Sequence, residues 1–262
     1  MGRQQGGDGV VMRHLAQQTV VKYHRSETSF RAEKQALEAV RHPCVIRLLS
    51  VALPLRACYL PLFDADLMQV LLWDEGAPNG HVEHTLLATS LLGALAACHA
   101  AHVVHQDVKP DNVLVRFDPL GYVLCDFGRS VRLLGEQGDA VQELPVTRLG
   151  TLLYVAPEAG LGRCMTKNDC WGAGVVLFAA LERELPYEAP EDLESAEDSI
   201  SKARCHAKSL VEAGDPPLMP LTTWPSWAPE VLRGLLRVSP EERFTAEEAL
   251  ARLEADRARR QS

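Results

Sequence analysis

At 262 residues, 47% of them hydrophobic and 24% charged, the chain is long enough to bury a sizeable core, which excludes a small disulfide scaffold. Its 27 basic and 35 acidic side chains leave a formal charge of −8, a balance that argues against nucleic acid as a partner. Seven scattered cysteines without a C-x-x-C pair fit neither a disulfide framework nor a zinc site, and predict a reducing, intracellular setting, cytoplasmic or nuclear.

The first fifteen residues are polar and glycine-rich, so no targeting signal is read there, and Gly6 stands where a myristoylation pattern needs Ser or Thr. Short β-rich runs follow at 10–12, 19–23, 45–51 and 57–62, with one helical stretch between the second and third, which predicts a small sheet carrying one helix. On that helix Phe30, Glu33, Leu37 and Val40 fall at i, i+3, i+7 and i+10, so a carboxylate sits on an apolar stripe. A buried carboxylate demands a cation, and Lys22 at the end of the second run is the obvious candidate, although an isolated strand lysine also reads as a solvated edge residue.

From Leu67 onward the pattern turns helical, at 67–73, 86–104, 171–181, 199–212, 228–237 and 246–258, interrupted by short strands at 113–115 and 122–125. The apolar run 86–104 carries His99, His102, Thr89 and Ser90, and predicts a buried soluble helix and no membrane partner. Composition shifts near 64–66, dividing a mostly β lobe, 1–63, from a mostly α lobe, 64–262. The predicted class is α+β and bilobal.

The stretch His105-Gln106-Asp107-Val108-Lys109-Pro110-Asp111-Asn112, followed by Asp126-Phe127-Gly128, resembles the H-x-D-x-K-P-x-N and D-F-G motifs of protein kinases. Gly150-Thr151-Leu152-Leu153-Tyr154-Val155-Ala156-Pro157-Glu158, Asp169 with Trp171-Gly172-Ala173-Gly174, and Pro240 to Thr245 resemble later marks of the family in the expected order. The resemblance spans nearly the whole chain and implies one kinase domain over residues 1–262. It also implies ATP and Mg²⁺, protein substrates and a monomer. Lys109 and Thr151 resemble the serine/threonine rather than the tyrosine branch.

Residue by residue, the resemblance implies Asp107 as the base, Lys109 beside the transferred phosphoryl group, and Asn112 and Asp126 as metal ligands. Lys22, held by Glu33, would position the α- and β-phosphates. Gly6, Gly9, Val11, Val20, Leu60, Pro61, Phe63 and Leu114 would surround the nucleotide, with Leu60 as gatekeeper. Pro61 would offer its carbonyl to adenine and Phe63 its amide. Asp66 would either reach the ribose or cap the helix from Leu67. Leu37, Leu48, His105 and Phe127 match the four stacked residues that align kinase lobes, and Glu158 with Arg243 matches the structural ion pair. Cys125 would line the pocket as an inert small hydrophobe. The Leu60-Pro61 and Asp66-Leu67 pairs are similar to those of herpesvirus serine/threonine kinases.

Two departures stand out. Gly6-x-x-Gly9-x-Val11 matches only the end of the glycine-rich loop, with Gln4 at the first glycine position and a first strand missing or stunted, which would weaken ATP binding. The alternative reading is therefore a kinase-fold binding or scaffold protein. Gln106 stands where many kinases carry the arginine that receives a phosphate. Activity independent of phosphorylation at Ser130 or Thr147 is expected, with Glu136, Asp139, Glu143 and the acidic segment 182–198 as solvated charge.

Overall fold

Strands on both sides of the first α-helix pair into one antiparallel sheet. In a computed structural model describing residues 3–6, 9–73, 82–133, 141–143, 151–188, 199–218 and 223–261, this sheet has the order β1-β2-β3-β5-β4. The strands are β1 (Arg3–Gly6), β2 (Gly9–His14), β3 (Thr19–His24), β4 (Ser50–Ala52) and β5 (Ala57–Pro61). Two corrections arise here. The first strand is present: four polar residues pair with β2 from Arg3↔Met12 to Gly6↔Gly9. The apolar run 45–51 is a strand only from Ser50. Val45 makes an isolated bridge to Leu124, and Ile46 N–H donates to Leu124 O at 2.9 Å, so that run stitches two regions together instead of joining the ladder.

Helix α1 (Glu27–Ala39) begins where Ser26 accepts a hydrogen bond from Ser29 N at 3.0 Å, and it buries Phe30, Glu33 and Leu37. After β5 come β6 (Ala65–Asp66) and α2 (Leu67–Leu72), capped by Asp66, whose Oδ1 accepts from Gln69 N at 2.8 Å. Helix α3 (His84–Ala100) buries Leu87, Leu91, Leu92, Leu95 and Cys98 and leaves only Ala100 fully exposed, and it meets β7 (Val103–Val104). Strands β8 (Val113–Phe117) and β9 (Leu120–Leu124) form a hairpin against β6. Three two-residue strands follow, β10 (Val131–Arg132), β11 (Gln142–Glu143) and β12 (Arg163–Cys164), with the one-turn helix α4 (Pro157–Gly160) before the last. Helix α5 (Thr166–Glu182) is sequestered along nearly its whole length, and α6 (Ser199–Ala213), α7 (Ala228–Leu235) and α8 (Ala246–Gln261) complete the helical region. The chain is thus a small strand-rich region followed by a larger helical one.

One buried group in this helical region is titratable and idle. His206 on α6 is 1% exposed, 5.5 Å from the Tyr187 ring, and neither ring nitrogen has a hydrogen-bond partner among the described residues. Burial pulls its pKa down to about 4. Because the unfolded imidazole gains a proton that the folded one refuses, stability should fall by about 1.4 kcal/mol for each pH unit below about 6.5, down to about 4. His206→Phe should flatten that part of the pH profile of the urea midpoint; an unchanged slope would mean another group is responsible.

Candidate active site

The two regions enclose a cavity of about 520 Å³. Its roof is β2 and β3, its back is β5 and the segment after it, and its floor is the loop between β7 and β8 together with the turn after β9. Of the residues predicted to form the site, Gly9, Val11, Val20, Lys22, Glu33, Leu60, Pro61, Phe63, Asp107, Lys109, Asn112, Leu114 and Asp126 all line it, and Cys125 does too. Gly6 pairs with Gly9 at the end of the β1–β2 ladder. Asp66, which the sequence offers as a ribose contact or a helix cap, also lines the cavity, as do Arg13, Asp111 and Arg129, which no motif marks as nucleotide contacts.

Glycine at position 9 has a reason independent of phosphate. A Cβ there would stand 2.3 Å from the Tyr23 carbonyl oxygen, so β2 can approach β3 only without a side chain. That contact sets the height of the roof above Lys22, which is cross-strand from Val11.

Lys22 is 6% exposed. Its Nζ lies 2.6 Å from Glu33 Oε2 and 2.7 Å from Asp126 Oδ1. Burial by itself would lower the ammonium pKa, but Asp126 and then Glu33 outweigh it and hold the pKa above the ordinary lysine value. Conversely, burial would raise the Asp126 carboxyl, yet Lys22 and the Gly128 N–H hold it well below the usual carboxylate range. Glu33, fully buried, is likewise kept low by Lys22 and by His24 against the cost of desolvation. His24 was missed in the sequence, where it reads as one more strand residue.

On the floor, Asp107 is gripped from three sides. Thr151 N donates to Oδ1 at 2.9 Å, Asn112 Nδ2 to Oδ2 at 3.1 Å, and Lys109 Nζ lies 3.6 Å from Oδ2. Lys109 also donates to Thr151 Oγ1 at 2.6 Å, which ties the segment before α4 to the catalytic loop. The backbone of this loop is strained at Gln106, with φ of 69°. Asp169 on α5 offsets the strain, accepting from His105 N at 2.7 Å and Gln106 N at 2.9 Å, and His99 Nε2 lies 3.0 Å from the same carboxylate. His105 packs edge-on against Phe127 with ring centroids 4.6 Å apart, and Phe127 belongs to a core that includes Leu37 and touches Leu48. Leu48 was expected on a strand and precedes β4 instead.

Asn112 spends its amide hydrogens on Asp107, donating to the main-chain oxygen at 2.7 Å as well as to the carboxylate, and keeps its carbonyl oxygen for other partners. That oxygen and the Asp126 carboxylate on the cavity wall are a hard, all-oxygen pair. They suit a small divalent cation that takes its remaining ligands from phosphates and water. Along the back, Leu62 N–H is taken by Gln18 O at 2.9 Å and Asp64 N–H by Val115 O at 3.1 Å, while the Phe63 amide between them has no backbone partner among the described residues. Asp66 acts as the cap of α2 and also faces the cavity. Burial pushes the Cys125 thiol well above its usual range, so the group is an inert neighbour. Ser130 is 9% exposed and donates to Phe127 O at 2.8 Å, which removes it as an accessible acceptor. Thr147, Gly150, Glu136, Asp139 and the part of the acidic segment at 189–198 lie outside the described residues.

Residues 2–253 match the family model for the protein kinase domain. Serine/threonine-protein kinase D2 of Rattus norvegicus is 28% identical over 232 residues, 87% of this chain and 24% of that protein. CBL-interacting serine/threonine-protein kinase 8 of Arabidopsis thaliana is 29% identical over 248 residues, 92% of this chain and 50% of that protein. Serine/threonine-protein kinase PkaA of Streptomyces coelicolor is 32% identical over 228 residues, 83% of this chain and 38% of that protein. The chain therefore spans half or less of the length of these relatives.

Proposed function

Because the chain belongs to the protein kinase family and resembles its serine/threonine branch, we propose that it transfers the γ-phosphoryl group of ATP to serine or threonine hydroxyls of protein substrates. The observation that carries this reading is the convergence of Lys22, Asp107, Asn112 and Asp126 on one cavity, each with its supporting partner in place. Residues 1–63 and 64–262 act as the two lobes that close on the nucleotide, in a monomer that works where ATP is held, inside the cell. Among the described residues no helix is long and apolar enough to cross a membrane.

The chemistry asked of the protein is positioning and charge compensation, since a loose phosphoryl-transfer transition state leaves little covalent work to a side chain. Leu60 closes the back of the pocket, the Pro61 carbonyl and the Phe63 amide meet the two polar edges of adenine, and Val11, Val20 and Leu114 sandwich its faces. Lys22 turns its ammonium from Asp126 toward the α- and β-phosphates while Glu33 keeps its stem in place. Mg²⁺, held by Asp126 and the Asn112 carbonyl oxygen, supplies charge neutralisation on the phosphates when bound. Asp107 orients the substrate hydroxyl and takes its proton, and Lys109 offsets negative charge on the transferred group.

The test is γ-phosphoryl transfer from labelled ATP to acceptor proteins, with and without Mg²⁺, followed by acid hydrolysis of the product. Phosphoserine or phosphothreonine that requires Mg²⁺ is expected. Nucleotide binding with no transfer to any acceptor, or label found on tyrosine alone, would overturn the reading.

A further inference from the structure

Lys22 is shared between two carboxylates, and in the proposed reaction it must also meet phosphate. Each time its ammonium turns to the nucleotide, Glu33 loses part of its one lysine contact. Glu33 is 0% exposed, and neither of its carboxylate oxygens completes a hydrogen bond among the described residues, so what stands close to Oε2 besides Lys22 matters.

That neighbour comes from the same strand. His24 lies two residues after Lys22, on the same face of β3, and is 4% exposed. Its Nε2 stands 3.0 Å from Glu33 Oε2, and its Nδ1 stands 3.2 Å from Ser29 Oγ in the first turn of α1. Ser29 in turn backs the metal-side turn, because a Cβ added at Gly128 would lie 2.5 Å from its hydroxyl oxygen. Strand, helix and the turn that carries Asp126 are thus joined through one imidazole. An apolar residue would fill the space as well, but a ring held by Ser29 at Nδ1 and standing with Nε2 at contact distance from a buried carboxylate, though without a completed hydrogen bond to it, is placed to orient that charge.

We propose that His24 is a positioning residue for phosphoryl transfer: it holds the Glu33 carboxylate, and through it Lys22, in place while the lysine is engaged by the nucleotide. The inference rests on the kinase reading above, and its test is chosen to stand apart from it. The first-order rate at which an ATP acyl phosphate acylates Lys22, followed by mass spectrometry, reports how the lysine is presented to the phosphates whether or not any protein is phosphorylated.

His24→Leu should slow that rate about tenfold, the size of a lost polar contact to a buried carboxylate, and should lower kcat for transfer in parallel. His24→Gln, which can return an N–H donor near the position of Nε2, should stay within about threefold of wild type on the same scale. A purely structural histidine would instead lower the fraction of molecules that label while leaving the rate constant unchanged. That result, an unchanged rate in His24→Leu, or a Gln variant no better than Leu, would overturn the proposal. Wild type that labels at Lys22 but transfers no phosphoryl group sinks the kinase reading alone, and the labelling rates still decide on His24. If His24→Leu does not fold, Ser29→Ala is measured in its place: a slower rate supports the proposal, and a wild-type rate overturns it.

Discussion

Asp107→Asn is expected to lower kcat by about a hundred- to ten-thousandfold, the range for loss of a positioned general base, while nucleotide affinity stays within about threefold of wild type. The geometry makes the substitution clean. Asp107 is nearly isosteric with asparagine and 9% exposed, and its side chain is held by Thr151, Asn112 and Lys109. What changes is the pattern of donors. Thr151 N and Asn112 Nδ2 both point hydrogens at the carboxylate, at 2.9 Å and 3.1 Å. An asparagine can satisfy only one of them with its oxygen and must turn its own amide toward the other. Neither orientation can accept a proton from an incoming hydroxyl. Single-turnover transfer and calorimetric titration with the nucleotide, run on the same preparation, separate the two quantities. Retention of kcat within about tenfold would mean that the proton leaves by another route and that Asp107 has a different task.

The parts of the site that were legible before the fold was known were those written in consecutive residues or in a single helical period. The loop from His105 to Asn112 and the Asp126 turn carry their chemistry at fixed short spacings, and Glu33 betrayed itself as a carboxylate on an apolar stripe. Contacts between distant segments were not legible. Thr151 was read only as a branch mark, yet its amide and hydroxyl reach Asp107 from 44 residues away. His24 shares the face of Lys22 by the two-residue period of a strand, but nothing in a strand's own pattern says that Glu33 will come down on that face. Strand β1 is not legible because Arg3–Gly6 holds no apolar residue, and what identifies it is its pairing with β2. The opposite error occurred at 45–49, where an apolar run reads as a strand by composition but makes single hydrogen bonds to separate places, Ile46 N–H to Leu124 O and Leu49 N–H to Tyr59 O, instead of a ladder.

Loss of the Arg243 side chain is the largest stability change expected from a single substitution away from the cavity. The guanidinium is 1% exposed and meets Glu158 in two parallel contacts, Nη1 to Oε1 at 2.6 Å and Nη2 to Oε2 at 2.9 Å. Its remaining donors go to the main-chain oxygens of Arg237 and Lys167, each at 2.8 Å, and of Val238 at 3.2 Å, and its plane lies 5.1 Å from the Trp171 ring. Arg243→Leu therefore strands the buried Glu158 with Asn168 Nδ2 as its one remaining side-chain donor among the described residues, at 2.6 Å, and leaves those carbonyls without the Arg243 donor. A cost of about 3–5 kcal/mol follows, or a fall in Tm of about 10 °C for a domain of this size. Arg243→Lys should recover little, because a single ammonium cannot replace a planar fork serving a carboxylate and several carbonyls. Glu158→Leu combined with Arg243→Leu should cost less than the two single changes added together, since neither charge is then buried alone. Thermal and urea unfolding of the four proteins gives the coupling directly. Additive losses, or a single-variant cost below about 1 kcal/mol, would mean that water enters to solvate the abandoned partner and that the pair does not hold α4 against the last helices.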